Sequence, residues 1–381
     1  MNGHAPNDAS QGGVGSGPSR WRLIAINSVA VPATSIVAGF AVAAIAVLAT
    51  GGDPLAAFAA LFQGAFTNPN ALAETLVSTI PYVLLGLGVA LGFRAGLFNI
   101  GAEGQFYVGS LLGVFVGYRL TGLPGLIEVP AALFAGMVGG FAWAGIAGAL
   151  KARFGAHEVI TTIMLNYIAF LLASFLINKG VMTAPHASTP RTPEVDPAAI
   201  LPIILPGSRL HAGLLLALAA VPVVWFLLQR TTIGFRIRTV GFNPGTARAA
   251  GISVGWTIFL TMGISGALAG LAGIVQALGL SHHMTDSVGA GYGFDAIAVA
   301  LVARSNPWAI VPAAFLFGAL HSGAGFMQLA TDPQVSSDLI SVVQAMVIMF
   351  IAAPALVSWL FRMRRGHLQT VTITQRESDV A

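Results

Sequence analysis

The 381-residue sequence contains no cysteine, which excludes disulfide bonds, thiolate metal sites and cysteine nucleophiles. Charge is also scarce, because only 8% of the residues are Asp, Glu, Lys or Arg, whereas soluble domains carry about 25%. Hydrophobic residues make up 56% of the chain, and several apolar runs are long enough to span lipid. The chain is therefore predicted to be an all-α integral membrane protein.

Lysine occurs only twice, at Lys151 and Lys179, and neither residue follows a glycine-rich phosphate loop. The sequence thus predicts no nucleotide-hydrolysing site and no cofactor of its own, and any ATP would be bound by a partner subunit. His157 and Glu158 begin an H-E-x-x-H pattern, but Thr161 occupies the place of the second histidine, which excludes that zinc site. No DNA- or RNA-binding motif accompanies the net charge of +4, so no nucleic-acid partner is expected.

The distribution of Lys and Arg predicts about ten transmembrane helices with both termini in the cytoplasm. In this arrangement 14 of the 18 basic residues lie on the inner side, and the four outer ones are Arg119, Lys179, Arg191 and Arg209. Residues 294–303 are too short for a full span and are predicted to form a half helix. The chain then consists of a disordered tail at 1–20, one polytopic membrane domain at 21–365 and a cytoplasmic tail at 366–381.

The order of the predicted helices indicates an internal repeat. The second to fifth and the seventh to tenth helices match in order, start on opposite sides of the membrane, and each include a short second member preceded by glycines. This arrangement is typical of an inverted-topology repeat. Short or broken helices at matching places in two halves predict where a substrate path lies.

Polar residues at the ends of apolar runs are the candidates for a translocation path. A buried carboxylate at Glu103 is costly unless it is paired or wetted, so it could belong to a gate or cap the next helix. Interhelical hydrogen bonding competes with substrate contact for Glu158 and Asn166, and a charge at a helix N-terminus competes with ligand binding for Asp295. The candidate set is Asn99, Glu103, Gln105, Glu158, Asn166 and Asp295.

A polar segment at 230–252 separates two long apolar runs and carries four arginines and no acidic residue. Such a basic connection is typical of a loop held on the cytoplasmic side of a membrane. We interpret it as a loop on which a soluble partner docks. Its candidate residues are Gly234, Arg236, Arg238, Gly241, Asn243, Pro244, Arg248 and Gly251.

Three segments carry a family resemblance, namely FRAGLFNIGAEGQF at 93–106, KARFGAHEVITTIMLNYIA at 151–169 and GFRIRTVGFNPGTARAAGI at 234–252. With them the sequence resembles the permease subunits of bacterial ABC importers of the simple-sugar and nucleoside type, in the wider group that includes ribose and branched-chain amino acid permeases. The resemblance implies a pore of two permease chains, here expected to be a heterodimer, with a cytoplasmic ABC ATPase and an extracytoplasmic substrate-binding lipoprotein. It also implies a coupling helix within 234–251, although Phe242 stands where relatives usually have an acidic residue in V-G-x-N-P.

The resemblance implies that the chain forms a path for a small molecule across the bacterial inner membrane, surrounded by lipid. Its first two segments look most like the nucleoside branch, which favours a nucleoside over a simple sugar. The alternative is an ion-coupled secondary transporter without an ATPase, but that would require acids or histidines in mid-span. An intramembrane enzyme would require a catalytic pair or metal ligands on facing helices, and the sequence contains no convincing set, so we expect a transport subunit.

Overall fold

The computed structural model describes residues 37, 39–49, 51–185, 187–285, 291–330, 345 and 349. The predicted tails at 1–20 and 366–381, and all but two residues of the last predicted span at 338–361, lie outside the described residues. The chain divides into two compact units, Ala44–Gln344 and a second that comprises Met1–Ala43 and Ala345–Ala381. Of the second unit only 37, 39–43, 345 and 349 are described, and all of these are helical.

The described part of the chain consists of α-helices and contains no β-strand, as predicted. The helices in chain order are α1 (Gly39–Ala49), α2 (Pro54–Phe66), α3 (Pro69–Arg94), α4 (Ala102–Arg119), α5 (Gly125–Phe154), α6 (Glu158–Asn178), α7 (Gly213–Arg230), α8 (Thr232–Phe242), α9 (Pro244–Ala249), α10 (Val254–Gln276), α11 (Tyr292–Val302) and α12 (Pro307–Ala330). A 3₁₀ turn lies at Pro197–Ala199, and a π-helical turn, Ala277–Ser281, continues α10.

Six helices of the described part are long and apolar enough to cross a membrane, namely α3, α5, α6, α7, α12 and α10 with its π turn. Eight of the ten predicted spans coincide with helices, because α4 and α11 also fall where the sequence predicts them. At 11 residues α11 is about 16 Å long, too short to cross a hydrocarbon core of about 30 Å. The total of ten crossings and the inverted repeat stay predictions.

Capping and turn residues set several helix boundaries. The side chain of Asn68 accepts a hydrogen bond from the backbone N–H of Ala71, and Pro69 occupies the first turn of α3, where no N–H is needed. Gly155 ends α5 with a φ of 67°, in the left-handed region that glycine adopts at helix C-termini. The start of α3 and the end of α5 are therefore set by residues that the sequence places there.

Close packing of α4, α5 and α10 forms the centre of the bundle. A Cβ atom on Gly266 would collide with the carbonyl oxygen of Gly140, and one on Gly270 with the carbonyl oxygen of Gly136. The glycine face of α10 thus allows backbone-to-backbone contact between helices.

The bundle has two chemically distinct ends. At the basic end, where α3, α5 and α7 finish and α8 and α9 lie, Arg94 Nε donates to the carbonyl oxygen of Ser305 at 3.0 Å. At the loop end, residues 187–212 pack on the end of α10, where the backbone N–H of Leu201 donates to the carbonyl oxygen of Leu278 at 3.1 Å. The long helices connect these two ends.

Candidate translocation path and coupling surface

Asn99 and Gln105 form a reciprocal amide pair just before and within α4. Asn99 Nδ2 donates to Gln105 Oε1 at 3.0 Å, and Gln105 Nε2 donates to Asn99 Oδ1 at 2.9 Å. Asn99 also donates to Ser265 Oγ on α10, and Ser265 in turn donates to the carbonyl oxygen of Gly88 on α3. Both amides are buried, and these hydrogen bonds stabilise the start of α4 against two long helices.

Asn166 on α6 binds the same helix start from the other side. Its Oδ1 accepts a hydrogen bond from the backbone N–H of Gly104 at 2.8 Å, and its Nδ2 donates to the carbonyl oxygen of Ile100 at 2.9 Å. Backbone N–H groups in the first turn of a helix lack acceptors within the helix. Asn166 supplies such an acceptor for the N–H of Gly104. Asn166 therefore forms hydrogen bonds between α6 and the start of α4, which is the alternative to substrate contact that the sequence left open.

Glu103 reaches across the bundle from the first turn of α4 to the N-terminus of α11. Its carboxylate accepts hydrogen bonds from the backbone N–H groups of Gly291, at 3.1 Å, and Gly293, at 2.5 Å. The residue is only 2% exposed, and a negative charge at a helix N-terminus is favourable. Glu103 therefore caps a helix, but the capped helix is α11, and the donor Gly293 is 190 residues away in sequence.

Asp295 lies in the first turn of α11 and accepts a hydrogen bond from the hydroxyl of Tyr82 at 2.9 Å. The ring of Tyr82 stands edge-on to that of Tyr292, with centroids 5.0 Å apart, and to that of Phe317 at 5.8 Å. Two acidic residues, Glu103 and Asp295, thus lie at the N-terminus of one short helix. This arrangement makes the start of α11 the point at which α3, α4 and α12 meet.

Glu158 lies at the start of α6, where an interaction with the backbone of Phe98 brings it close to Asn99. It forms an ion pair with Lys151 at 2.5 Å, between the start of α6 and the end of α5, at the basic end. Eight residues separate it from Asn166, which is about 12 Å along the helix axis. The structure therefore places Glu158 at a helix junction, while the role of all six residues in translocation stays a prediction.

A cavity of about 550 Å³, here called the loop-end cavity, contains none of those six residues in its wall. Arg209 closes a bidentate pair with Glu74 at its rim, with Nε–Oε1 and Nη2–Oε2 distances of 2.8 and 2.6 Å. These hydrogen bonds raise the pKa of the Arg209 guanidinium above its ordinary value. The remaining polar and aromatic lining residues include Gln63, Asn68, Asn70, Ser78, Gln276, Tyr292, His321, Ser322 and Phe326.

Sequence reasoning missed the loop-end cavity because its walls come from α2, α3, α10, α11 and α12, which are far apart along the chain. One signal was available, since His321 is an ionisable residue inside an otherwise apolar run, and such residues are functional candidates by default. The other lining residues lie singly in apolar or loop sequence and carry no motif.

The predicted coupling loop folds into two short helices at the basic end. Thr231 caps α8 by accepting from the backbone N–H of Gly234, and Asn243 caps α9 by accepting from those of Gly245 and Thr246. The helix α8 is amphipathic, because Ile237, among others, is buried while the opposite face is exposed. The segment is therefore an ordered surface with its own caps.

The exposed face of α8 and α9 is basic and apolar. Arg236 and Arg248 are exposed, Arg238 is half-buried, and Phe242 at the end of α8 is 92% exposed. None of the ion pairs in the described part of the chain involves these arginines. An exposed phenylalanine beside unpaired cations is typical of an interface with another protein.

Gly241 brings the backbone of α8 against the turn that joins α3 to α4. A Cβ atom on Gly241 would collide with the carbonyl oxygen of Arg94, and one on Gly96 would lie 3.5 Å from the Cα of Gly241. Gly96 has a φ of 71°, which a side-chain-bearing residue rarely adopts. The coupling surface thus contacts, through main-chain atoms, the turn that leads directly to Asn99 and Glu103.

Comparison with known proteins identifies membrane permeases as relatives of this chain. Residues 71–352 match the family described as the permease component of the branched-chain amino acid transport system. A guanosine ABC transporter permease of Bacillus subtilis is 40% identical over 326 residues, covering 85% of this chain and 92% of that protein. A nucleoside ABC transporter permease of Lactococcus lactis is 35% identical over 85% of this chain and 90% of its own, and a glucose ABC transporter permease of Haloferax volcanii is 34% identical over 84% and 86%. No solved structure matches the chain.

Proposed function

The chain belongs to the family of branched-chain amino acid transport system permease components, and on that premise we propose that it forms the translocation path of an ATP-driven nucleoside importer. Its family and the six long apolar helices of its described part make it a multi-pass membrane protein and an ABC transporter permease subunit. The identity of the cargo is the proposed step. It is supported by two relatives, at 40% and 35% identity, whose names specify guanosine and nucleosides.

The proposed energy source is an ABC ATPase that docks on α8 and α9. The observation that carries this proposal is the contact of Gly241 with the Arg94 carbonyl oxygen, because it joins the exposed surface of α8 to the start of α4. A push on Phe242 or Arg236 would then reach Asn99 and Glu103 through rigid backbone, and Glu103 holds α11. Packed helices of this kind shift between discrete arrangements, which suits alternating access.

The remaining parts of the assembly belong to the same proposal. We expect a second permease chain that completes the pore as a heterodimer, a substrate-binding lipoprotein on the opposite face of the membrane, and no hydrolytic site or cofactor in this chain. We also expect an inner-membrane location with both termini cytoplasmic. The basic end would then face the cytoplasm, where Lys and Arg accumulate.

The test is reconstitution. The chain is co-expressed with the proposed ATPase, second permease and lipoprotein, purified in detergent and placed in proteoliposomes. ATPase turnover and radiolabelled uptake are then measured with guanosine and glucose. We expect guanosine to stimulate turnover and to be taken up. Stimulation and uptake with glucose alone would assign a sugar as cargo, and purification of this chain without any ATPase would refute the importer.

Docking is tested separately with Phe242→Asp. The change puts a negative charge on the exposed end of α8 and should abolish co-purification of the ATPase without loss of membrane insertion, because the residue contacts solvent. Phe154→Asp is the matched control, since Phe154 is 71% exposed at the same end of the bundle but outside α8 and α9. Equal recovery of ATPase with both variants would show that α8 is not the docking surface.

A further inference from the structure

Gln276 contributes an unpaired acceptor to the wall of the loop-end cavity. Its side chain is 6% exposed, and within the described residues its Oε1 has no hydrogen-bond donor. Buried polar atoms in folded proteins almost always have a partner, and an unpaired one is destabilising. Because Gln276 lines the cavity, rotation of its amide group would let this oxygen accept an N–H or O–H of a molecule that enters.

The backbone around Gln276 is also irregular. It is the last α-helical residue of α10, and the π turn Ala277–Ser281 begins directly after it. Leu280, in that turn, lines the cavity as well. Single π turns inside helices are rare and frequently occur at functional sites, because they redirect side chains that a regular helix would place elsewhere.

Aromatic rings form another part of the cavity wall. The rings of Tyr292 and His321 have centroids 5.0 Å apart, and the Tyr292 hydroxyl lies 3.2 Å from His321 Nε2. Glu103 binds the backbone N–H groups of Gly291 and Gly293, on either side of Tyr292, and so holds the tyrosine in place. A pre-organised aromatic wall favours a flat, partly apolar ligand.

The charges of the cavity cancel. Its lining contains one carboxylate, Glu74, and one guanidinium, Arg209, and these two groups bind each other in a bidentate pair. An anionic ligand would have to break that pair to find a cation, whereas an uncharged ligand leaves it intact. The other polar lining groups are amides, hydroxyls and the imidazole of His321, which suit the N–H, C=O and O–H groups of a neutral molecule.

From these observations we propose that the loop-end cavity is a binding subsite for an uncharged nucleoside, with Gln276 accepting a hydrogen bond from it and Tyr292 lining its ring. The volume of about 550 Å³ lies in the range of about 300–1000 Å³ that small-molecule sites occupy. This inference rests on the proposed import of nucleosides. It adds a subsite within this one chain to the path residues near the start of α4.

The first test replaces Gln276 by Leu in the complete reconstituted importer and measures guanosine uptake below saturation. Uptake should fall about tenfold, which corresponds to about 1.4 kcal/mol for the lost ligand contact. Leu also removes the unpaired oxygen, so thermal stability should be unchanged or higher, and a folding defect is not the expected cause. The control is Asn178→Leu, an exposed amide at the C-terminal end of α6.

The second test locates the ligand directly with a photoreactive azido-guanosine. We expect label on peptides containing Tyr292 or His321, competed by guanosine but not by guanosine monophosphate. Wild-type uptake of guanosine with an unchanged rate in Gln276→Leu, or label confined to other parts of the chain, overturns the subsite and leaves the proposed function standing. A wild-type importer that takes up no nucleoside overturns the cargo assignment and the subsite together.

Discussion

Gly241→Ala should uncouple ATP hydrolysis from transport. The added Cβ would collide with the carbonyl oxygen of Arg94 and lie 2.9 Å from the carbonyl carbons of Arg94 and Ala95, whereas ordinary contacts of this type are 3.4–4 Å. The end of α8 must therefore withdraw by about 1 Å, at the cost of about 1–3 kcal/mol that overpacking usually incurs. Because the contact is made by main chain, no side-chain rotation can relieve it.

The assay compares uptake with ATPase activity in the same proteoliposomes. Guanosine uptake should fall at least about tenfold, as expected for a loss of about 1.4 kcal/mol in the transport step, while ATPase co-purification and basal hydrolysis persist. Gly255→Ala is the matched control, because its Cβ would lie at an ordinary 3.4 Å from the Cβ of Ala152 at the same end. Normal uptake by Gly241→Ala would refute the transmission of movement through this contact. Loss of ATPase binding would show that the substitution acts on docking instead.

Three further predictions concern the other end of the molecule and α11. Glu103→Gln should speed hydrogen exchange at the N–H of Gly293 and reduce uptake. The new amide group places a donor against a donor, and a charged hydrogen bond of about 1.5–3 kcal/mol is lost. Unchanged hydrogen exchange would contradict the capping role of Glu103. Glu74→Gln should change the free energy of unfolding by less than about 1 kcal/mol in a denaturant titration, because the pair is largely exposed. Burial and nearby His282 lower the pKa of His211 to about 4. The contribution of His211 to the free energy of unfolding is therefore fully present above its unfolded pKa of about 6.5. The free energy of unfolding then falls by up to about 3 kcal/mol as the pH drops from about 6.5 to about 4. A thermal melt series should show this loss in the wild type and a flatter profile in His211→Asn.

The positions of the helices were predictable because each long apolar run satisfies its own backbone hydrogen bonds in lipid. The short helix at 292–302 was predictable for a similar reason, since the apolar sequence is simply too short to span. The basic segment at 230–252 was also identifiable from charge alone, although its division into two capped helices depends on Thr231 and Asn243.

For the candidate site, the sequence identified some of the residues but not their partners. Sequence reasoning selected Asn99, Glu103 and Asn166 as unusual polar residues, and the structure brings all three to the start of α4. It did not identify their partners, because the donors of Glu103 are backbone groups of glycines almost 190 residues away. Gln276 gave no signal, since one amide at the end of an apolar run resembles many structural glutamines.

The sequence by itself determined that this protein is an all-α membrane protein, where its helices run and which segment is basic, because these properties depend on local composition and on the solvent that each segment must meet. Only the tertiary structure decided that Gly241 touches the Arg94 carbonyl, that Glu103 caps α11 and that five helices enclose a neutral cavity. Those features arise from the approach of segments that are distant along the chain, and helix packing, which no single segment encodes, sets that approach.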